Sequence, residues 1–337
     1  MSIDSDIFKS DYSEYTWADV HDDSKRMNAL LSGSSIIKIS TPGLGLGDDF
    51  MVSPVIRAID EYYSPNDIIV NTYHPYLFEN NPRCTPGTNM HDPKSIVMHT
   101  WAYRKLPNNG YMPGYELRIS VPHQHNIRVG IWGEEINTKH EFYPTQEVLI
   151  WGAELIKHKP YITVQYQCDP PRKYYNLSPN LPRSESMGRW MTIGDWPDDR
   201  WTALIIAMNA NGYNVVQIGC EYENLIPGCI DMRNVGPRNT FMVVGHSELL
   251  ICHESFPQFV ADAMDVPSLV FMTGRSCAAG QQLTNRTYID FSDDLDCAPC
   301  WNVDRNVEEY CPRTCMDRIT ADVVINTALN ILGVSNE

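Results

Sequence analysis

Residues 35–63, SIIKISTPGLGLGDDFMVSPVIRAIDEYY, decide the fold. Ile36-Ile37-Lys38-Ile39-Ser40 is a short β-branched run and predicts a buried strand. Thr41-Pro42-Gly43-Leu44-Gly45-Leu46-Gly47 neither continues a strand nor begins a helix. It predicts a turn whose glycines let the backbone bend and approach a ligand closely. Asp48 and Asp49 follow, and Val55, Ile59 and Tyr62 then share a face at helical spacing. Ser53-Pro54 fits an N-cap and a first helical position. A helix starting at Asp48 would instead carry Pro54 in its second turn and bend there. Strand, glycine turn and helix start together suit an anion or a polar ligand. The stretch is not a P-loop, because no Gly-Lys-Ser/Thr follows. Nor is it G-x-G-x-x-G, because the glycines stand at 43, 45 and 47. The plainer alternative is an ordinary βα connection with a solvated aspartate pair.

Asp67–Asn71 is a second strand candidate, and the order strand–helix–strand predicts a parallel α/β sheet. Residues 80–95 read as loop and Ile96–Trp101 as another strand. His123 and His125 share a strand face, but no nearby carboxylate or cysteine completes a metal set. A helix is expected over 145–158, with Thr145 as cap and Val148, Trp151 and Leu155 on one face. His158-Lys159-Pro160 breaks that pattern, and a strand begins at Tyr161. Residues 1–33 read as an N-terminal extension, 34–158 as a first domain and 159–332 as a second. In the second, 168–195 is a proline-bearing loop long enough to carry function. A helix capped by Asp198 or Asp199 buries Trp201, Leu204, Ile205 and Met208. Strands are expected at 215–218, 249–252 and 268–272, and a last helix over 320–333. Glu254 and Ser255 then fall at a strand's carboxyl end, where open α/β sheets bind ligands. Ser255 also fits a helix N-cap.

The chain has 337 residues and a formal net charge of −16, which repels nucleic-acid backbones over most of its surface. The acidic, polar start is not a signal peptide, and no run approaches the ~18 apolar residues of a membrane span. A cytoplasmic protein is the expectation. Its ten cysteines are then thiols or metal ligands, not a disulfide framework. Cys297, Cys300, Cys311 and Cys315 form two close pairs, which predicts a four-thiolate knuckle over 297–315 holding one structural zinc or iron.

Three stretches, in the same order, resemble glycosyltransferase family 9, the heptosyltransferase-like enzymes. Gly47-Asp48 with Pro54 and Ile56-Arg57-Ala58-Ile59 resembles the family's N-terminal Gly-Asp-x5-Pro segment. Trp196-Pro197 with Trp201, then Asn214–Gly219, resembles the opening of its donor domain. His253-Glu254-Ser255-Phe256-Pro257, with Ala261-Asp262-Ala263 and Val266-Pro267, resembles its Asp-Ser-Gly-Pro donor loop. The Cys-x2-Cys-Trp-Asn opening of the cysteine block is similar to the iron-binding finger of bacterial protein heptosyltransferases that modify autotransporters. The resemblance covers about residues 35 to 332. It implies a GT-B fold, two Rossmann-like domains facing across a cleft, with acceptor on the N-terminal side and nucleotide-sugar on the C-terminal side. It also implies inversion at the anomeric carbon without a catalytic metal.

The sequence departs from that pattern. Glu254 stands for the usual Asp, Phe256 for Gly and Phe259 for the frequent His, and Gly194-Asp195 replaces a Lys. Arg189, or Arg172 with Lys173, is the replacement cation. An inverting transfer needs one base for the acceptor hydroxyl. Asp48, beside the glycine turn, is the expected base, and Asp49 is the alternative base or a solvated neighbour. Gly45, Gly47 and Asp49 are expected at the acceptor, and Arg189, Glu254, Ser255, Phe256 and Pro257 at the nucleotide-sugar. The acceptor stays open among a glycan, lipopolysaccharide, a protein and a modified DNA base, as does homo-oligomer formation. The competing class is a non-catalytic binding protein built on the metal knuckle.

Overall fold

The computed structural model describes residues 31, 33–41, 45–89, 92, 95–105, 111–119, 126–130, 139–167, 196–221, 223–272, 285–291, 295 and 314–334. For Tyr62 and for 96–105, 111–119 and 126–130 it describes the backbone alone. The chain divides into two compact units, Met1–Thr138 with Ala279–Gln282 and Lys139–Ala278 with Leu283–Glu337.

The first unit is built on β1 (Ile36–Ser40), α1 (Leu46–Phe50), α2 (Ser53–Tyr63) and β2 (Asp67–Asn71), followed by β3 (Thr85–Gly87), β4 (Ile96–Lys105), β5 (Tyr111–Ile119) and β6 (Asn126–Gly130). The strand order is β3-β2-β1-β4-β5-β6. The β1 strand pairs in parallel with β2 and β4, and β5 and β6 continue antiparallel. Both readings of the first helix hold in part. A short α1 begins at Leu46, the chain turns at Met51-Val52, and α2 restarts with Pro54 in its first turn, where a missing N–H costs nothing. Phe50, Val55, Ile56 and Ile59 of the two helices and Ile37, Ile39, Ile68 and Val70 of the sheet are all buried.

The second unit opens with α3 (Gln146–Ala153), capped by the Thr145 hydroxyl, and β7 (Tyr161–Gln165). Then come α4 (Asp198–Ala210), β8 (Asn214–Ile218), β9 (Cys229–Asp231), α5 (Pro237–Gly245), β10 (Leu250–His253), α6 (Phe256–Ala263), β11 (Ser268–Phe271), β12 (Arg286–Ile289), α7 (Thr314–Arg318) and α8 (Ala321–Ile331). The sheet is parallel throughout, ordered β12-β11-β10-β7-β8-β9. Every residue of β7, β10 and β11 is buried, as expected of strands covered on both faces. The apolar face of α4 (Trp201, Leu204, Ile205, Met208) packs with Val324 and Ala328 of α8 in one core. Pro197 is the N-cap of α4, and Asp198 and Asp199 fall in its first turn.

The four-cysteine metal knuckle is corrected, and with it the structural zinc or iron. Among the described residues no three His, Cys, Asp or Glu side chains stand close enough to hold a metal ion. Cys315 lies in α7 with its thiol in the apolar core beside Met316 and Ile319. A thiol packed that way acts as a small hydrophobe. Cys297, Cys300 and Cys311 lie outside the described residues, as do His123 and His125. Among the described residues no helix is long and apolar enough to cross a membrane.

Candidate functional site

Polar side chains gather at the carboxyl end of the first unit's parallel strands. The β1–β2 register pairs Ser40 with Asn71, so the next residues of each strand, Thr41 and Thr72, stand side by side. The first turn of α1 sets Asp49 against both. Asp49 is fully buried. It accepts hydrogen bonds from the Thr41 hydroxyl (2.6 Å), from the Thr72 hydroxyl and from Nδ1–H of His74 (2.7 Å). The Thr72 hydroxyl also accepts the His74 backbone N–H at 3.0 Å. Asp49 is therefore not the solvated neighbour expected from the sequence. It is a buried anchor joining two strand ends to one imidazole. Tyr76 meets the His74 ring edge-on, and burial, with the Asp49 charge, pushes its hydroxyl up to about 12.

Asp48, the expected base, is half-buried in the same turn. Gly45 is exposed and forms the N-cap of α1. A Cβ there would come 3.1 Å from an Asp48 carboxylate oxygen. Glycine at 45 thus leaves that carboxylate room. Gly47 lies inside α1, not in an open turn, and residues 42–44 are outside the described residues.

At the carboxyl end of the second unit's strands, Glu254 and Ser255 follow β10 directly and are half-buried. Ser255 holds the N-cap position of α6, yet its side chain does not cap the helix. Its hydroxyl donates 2.7 Å to Oε1 of Gln165, the last residue of β7, and so ties the two central strand ends together. Phe256 lies edge-on to Phe241 at 5.8 Å, and Pro257 is buried in the first turn of α6. The ring of His253 is buried, and its Nε2 accepts the Trp196 backbone N–H at 3.0 Å. The Trp196 indole donates 2.6 Å to the Ile319 carbonyl, and Arg200 donates to the carbonyls of Met316 and Ile319. The Trp196-Pro197 stretch is thereby pinned between β10 and the α7–α8 junction. Arg189, Arg172 and Lys173 lie outside the described residues.

A mixed α/β sheet followed by a parallel one is an arrangement that superposes on solved sugar transferases. The glycosyl transferase family 9 structure from Veillonella parvula matches 90% of this chain and 99% of its own at 14% identity and a TM-score of 0.57. E. coli ADP-heptose lps heptosyltransferase II matches 88% of this chain and 98% of its own at 11% identity and a TM-score of 0.56. The fold is that of the GT-B glycosyltransferases. The iron-containing dodecameric glycosyltransferase TibC of enterotoxigenic E. coli has it too, over 90% of this chain and 77% of its own, at 14% identity and a TM-score of 0.54. No family model and no curated protein matches the chain.

Sequence reasoning passed over His74, Thr72 and Gln165, and gave Thr41 and His253 no role of their own within the stretches it quoted. A local signal existed for two of them: a threonine follows each of the first two strands directly.

Proposed function

We propose that this protein is an inverting glycosyltransferase that moves a sugar from a nucleotide-sugar to an acceptor hydroxyl. The observation that carries the reading is the match along nine-tenths of the chain to the fold of sugar transferases. The site chemistry agrees with it. The second unit binds the donor, with Glu254 holding a ribose or sugar hydroxyl and Ser255 beside it. Backbone N–H groups at the start of α6 face the diphosphate. Glu254 replaces the aspartate of the resembling donor loop and reaches one methylene further, so the sugar differs in its hydroxyl contacts.

The first unit binds the acceptor, and Asp48 takes its proton. The acceptor O–H breaks toward the Asp48 carboxylate as the new C–O bond forms at the anomeric carbon. The bond to the diphosphate breaks on the opposite face, and its electron pair leaves with the nucleoside diphosphate. One displacement inverts the centre and needs one base. A carboxylate in the first turn of a helix, with glycine instead of a side chain at position 45, is accessible to a hydroxyl.

Asp48→Asn tests the assignment. It abolishes transfer, a loss of about 100-fold or more, while the midpoint shift given by the nucleotide-sugar stays as in the unaltered protein. Full transfer activity in that variant removes Asp48 from the mechanism.

A further inference from the structure

Asp49 accepts three hydrogen bonds from side chains inside the protein, and one of the three donors is an imidazole that is a fifth exposed. Nδ1–H of His74 points at the buried carboxylate. The ring's other nitrogen, Nε2, is not taken up by the carboxylate, and the side chain keeps a fifth of its surface exposed. A ring fixed this way presents a hydrogen-bonding atom in one tautomer and one orientation. The two threonines hold the carboxylate, Thr72 also holds the His74 backbone, and the Tyr76 ring flanks the imidazole. A surface histidine that merely solvates its ring needs none of this.

We propose that His74 is an acceptor-binding residue, positioned by Asp49, whose Nε2 accepts a hydrogen bond from a second hydroxyl of the acceptor. The proposal rests on the transfer reading and narrows it. The acceptor is a saccharide or another polyol, because one hydroxyl gives its proton to Asp48 and another is held by His74. A serine or threonine side chain brings no second hydroxyl to the imidazole. Consecutive aspartates in α1 then divide the work, Asp48 toward the reacting hydroxyl and Asp49 toward the residue that orients its neighbour.

Transfer to a panel of methyl glycosides, each paired with its deoxy analogues, tests the proposal in His74→Ala, His74→Gln and Asp49→Asn. His74→Ala raises the acceptor KM about tenfold, the worth of one hydrogen bond in a partly closed site, with the donor KM and acceptor-free donor hydrolysis unchanged. His74→Gln recovers part of the loss, because its amide oxygen also accepts. One deoxy analogue loses as much on the unaltered protein and nothing further on His74→Ala. An unchanged acceptor KM overturns the proposal, as does an equal fall in donor hydrolysis. Site-resolved modification with diethyl pyrocarbonate reads the ring without any substrate. Native His74 reacts at Nε2, whereas the buried rings of His140 and His253 react only on unfolding. A native His74 as protected as those two overturns the proposal even if the protein transfers sugars. A reactive His74 in a protein that turns over no nucleotide-sugar fails the transfer reading instead.

Discussion

Asp49→Ala removes the carboxylate that ties β1, β2 and His74 together, and its cost follows from the contacts it leaves behind. Three donors lose their acceptor: the hydroxyls of Thr41 and Thr72 and Nδ1–H of His74. Each buried donor left unmade costs about 1–3 kcal/mol, a gross loss of roughly 3–9 kcal/mol. Two of the three recover in part. The Thr41 hydroxyl already lies 3.5 Å from the Asn71 carbonyl and turns to it, and His74, a fifth exposed, draws in water. A buried charge also disappears, which returns some desolvation energy. The net cost is about 2–4 kcal/mol for the first unit, a large share of the ~5–15 kcal/mol that holds a domain folded. A two-unit chain need not melt in one step, so amide hydrogen exchange is the better assay. The strand-end amides of Thr41, bonded to Asn71, and Thr72, bonded to Gly87, lose about 30- to 1,000-fold protection. The amide of Leu250 in the second unit, bonded to Pro267, keeps its protection. Thr41 and Thr72 protection within threefold of the unaltered protein would refute the reasoning.

The second unit offers three further tests. Gly219 sits at φ +146°, and a Cβ there would lie 2.5 Å from both carboxylate oxygens of Glu223, whose Oε1 accepts the Cys220 N–H at 2.8 Å. Gly219→Ala therefore costs about 1–3 kcal/mol in urea unfolding, and a neutral result contradicts that geometry. Burial works against the charge of Asp262. The His140 hydrogen bond and charge, with Arg286, outweigh it and hold the carboxyl below its ordinary value. A lowered carboxylate stabilises the fold above the unfolded pKa, near pH 4, and loses that contribution as pH falls through the folded value. Asp262→Asn thus costs about 3–5 kcal/mol at neutral pH, because Arg286 stays buried. Urea melts across pH should show the gap to the unaltered protein closing below about pH 4; a gap independent of pH refutes the coupling. Cys315→Ala costs about 1 kcal/mol of packing, equally with and without a chelator. Unfolding by the chelator alone would contradict a thiol that only packs.

The strands that proved legible are those with β-branched or aliphatic runs between turn residues: β1, β2, the start of β4, β7, β8, β10 and β11. The edge of each sheet was not. The β3 strand is three residues, Thr-Pro-Gly, and β9 and β12 carry polar side chains on half-covered edges, so no apolar pattern marks them. The Asp49–His74 pair was invisible for a different reason. Its members are 25 positions apart and meet only because the parallel register brings the two strand ends level. Asp48 and Asp49 look alike in sequence, and only the turn of α1 separates the buried carboxylate from the half-buried one. The cysteine spacing misled because it says nothing of which way a helix turns its thiol. In α7 the thiol of Cys315 faces the core.

The proposed transfer is tested most directly by a panel of UDP-, ADP-, GDP- and CDP-linked sugars, read by melting temperature and by release of nucleoside diphosphate from the pure protein. A ligand at about a hundred times its Kd adds roughly 2.7 kcal/mol to the native state, a rise of several degrees in a unit of this size. One nucleotide class should give that rise and be hydrolysed slowly with water as acceptor. A panel in which no nucleotide-sugar moves the midpoint and none is turned over would contradict the account.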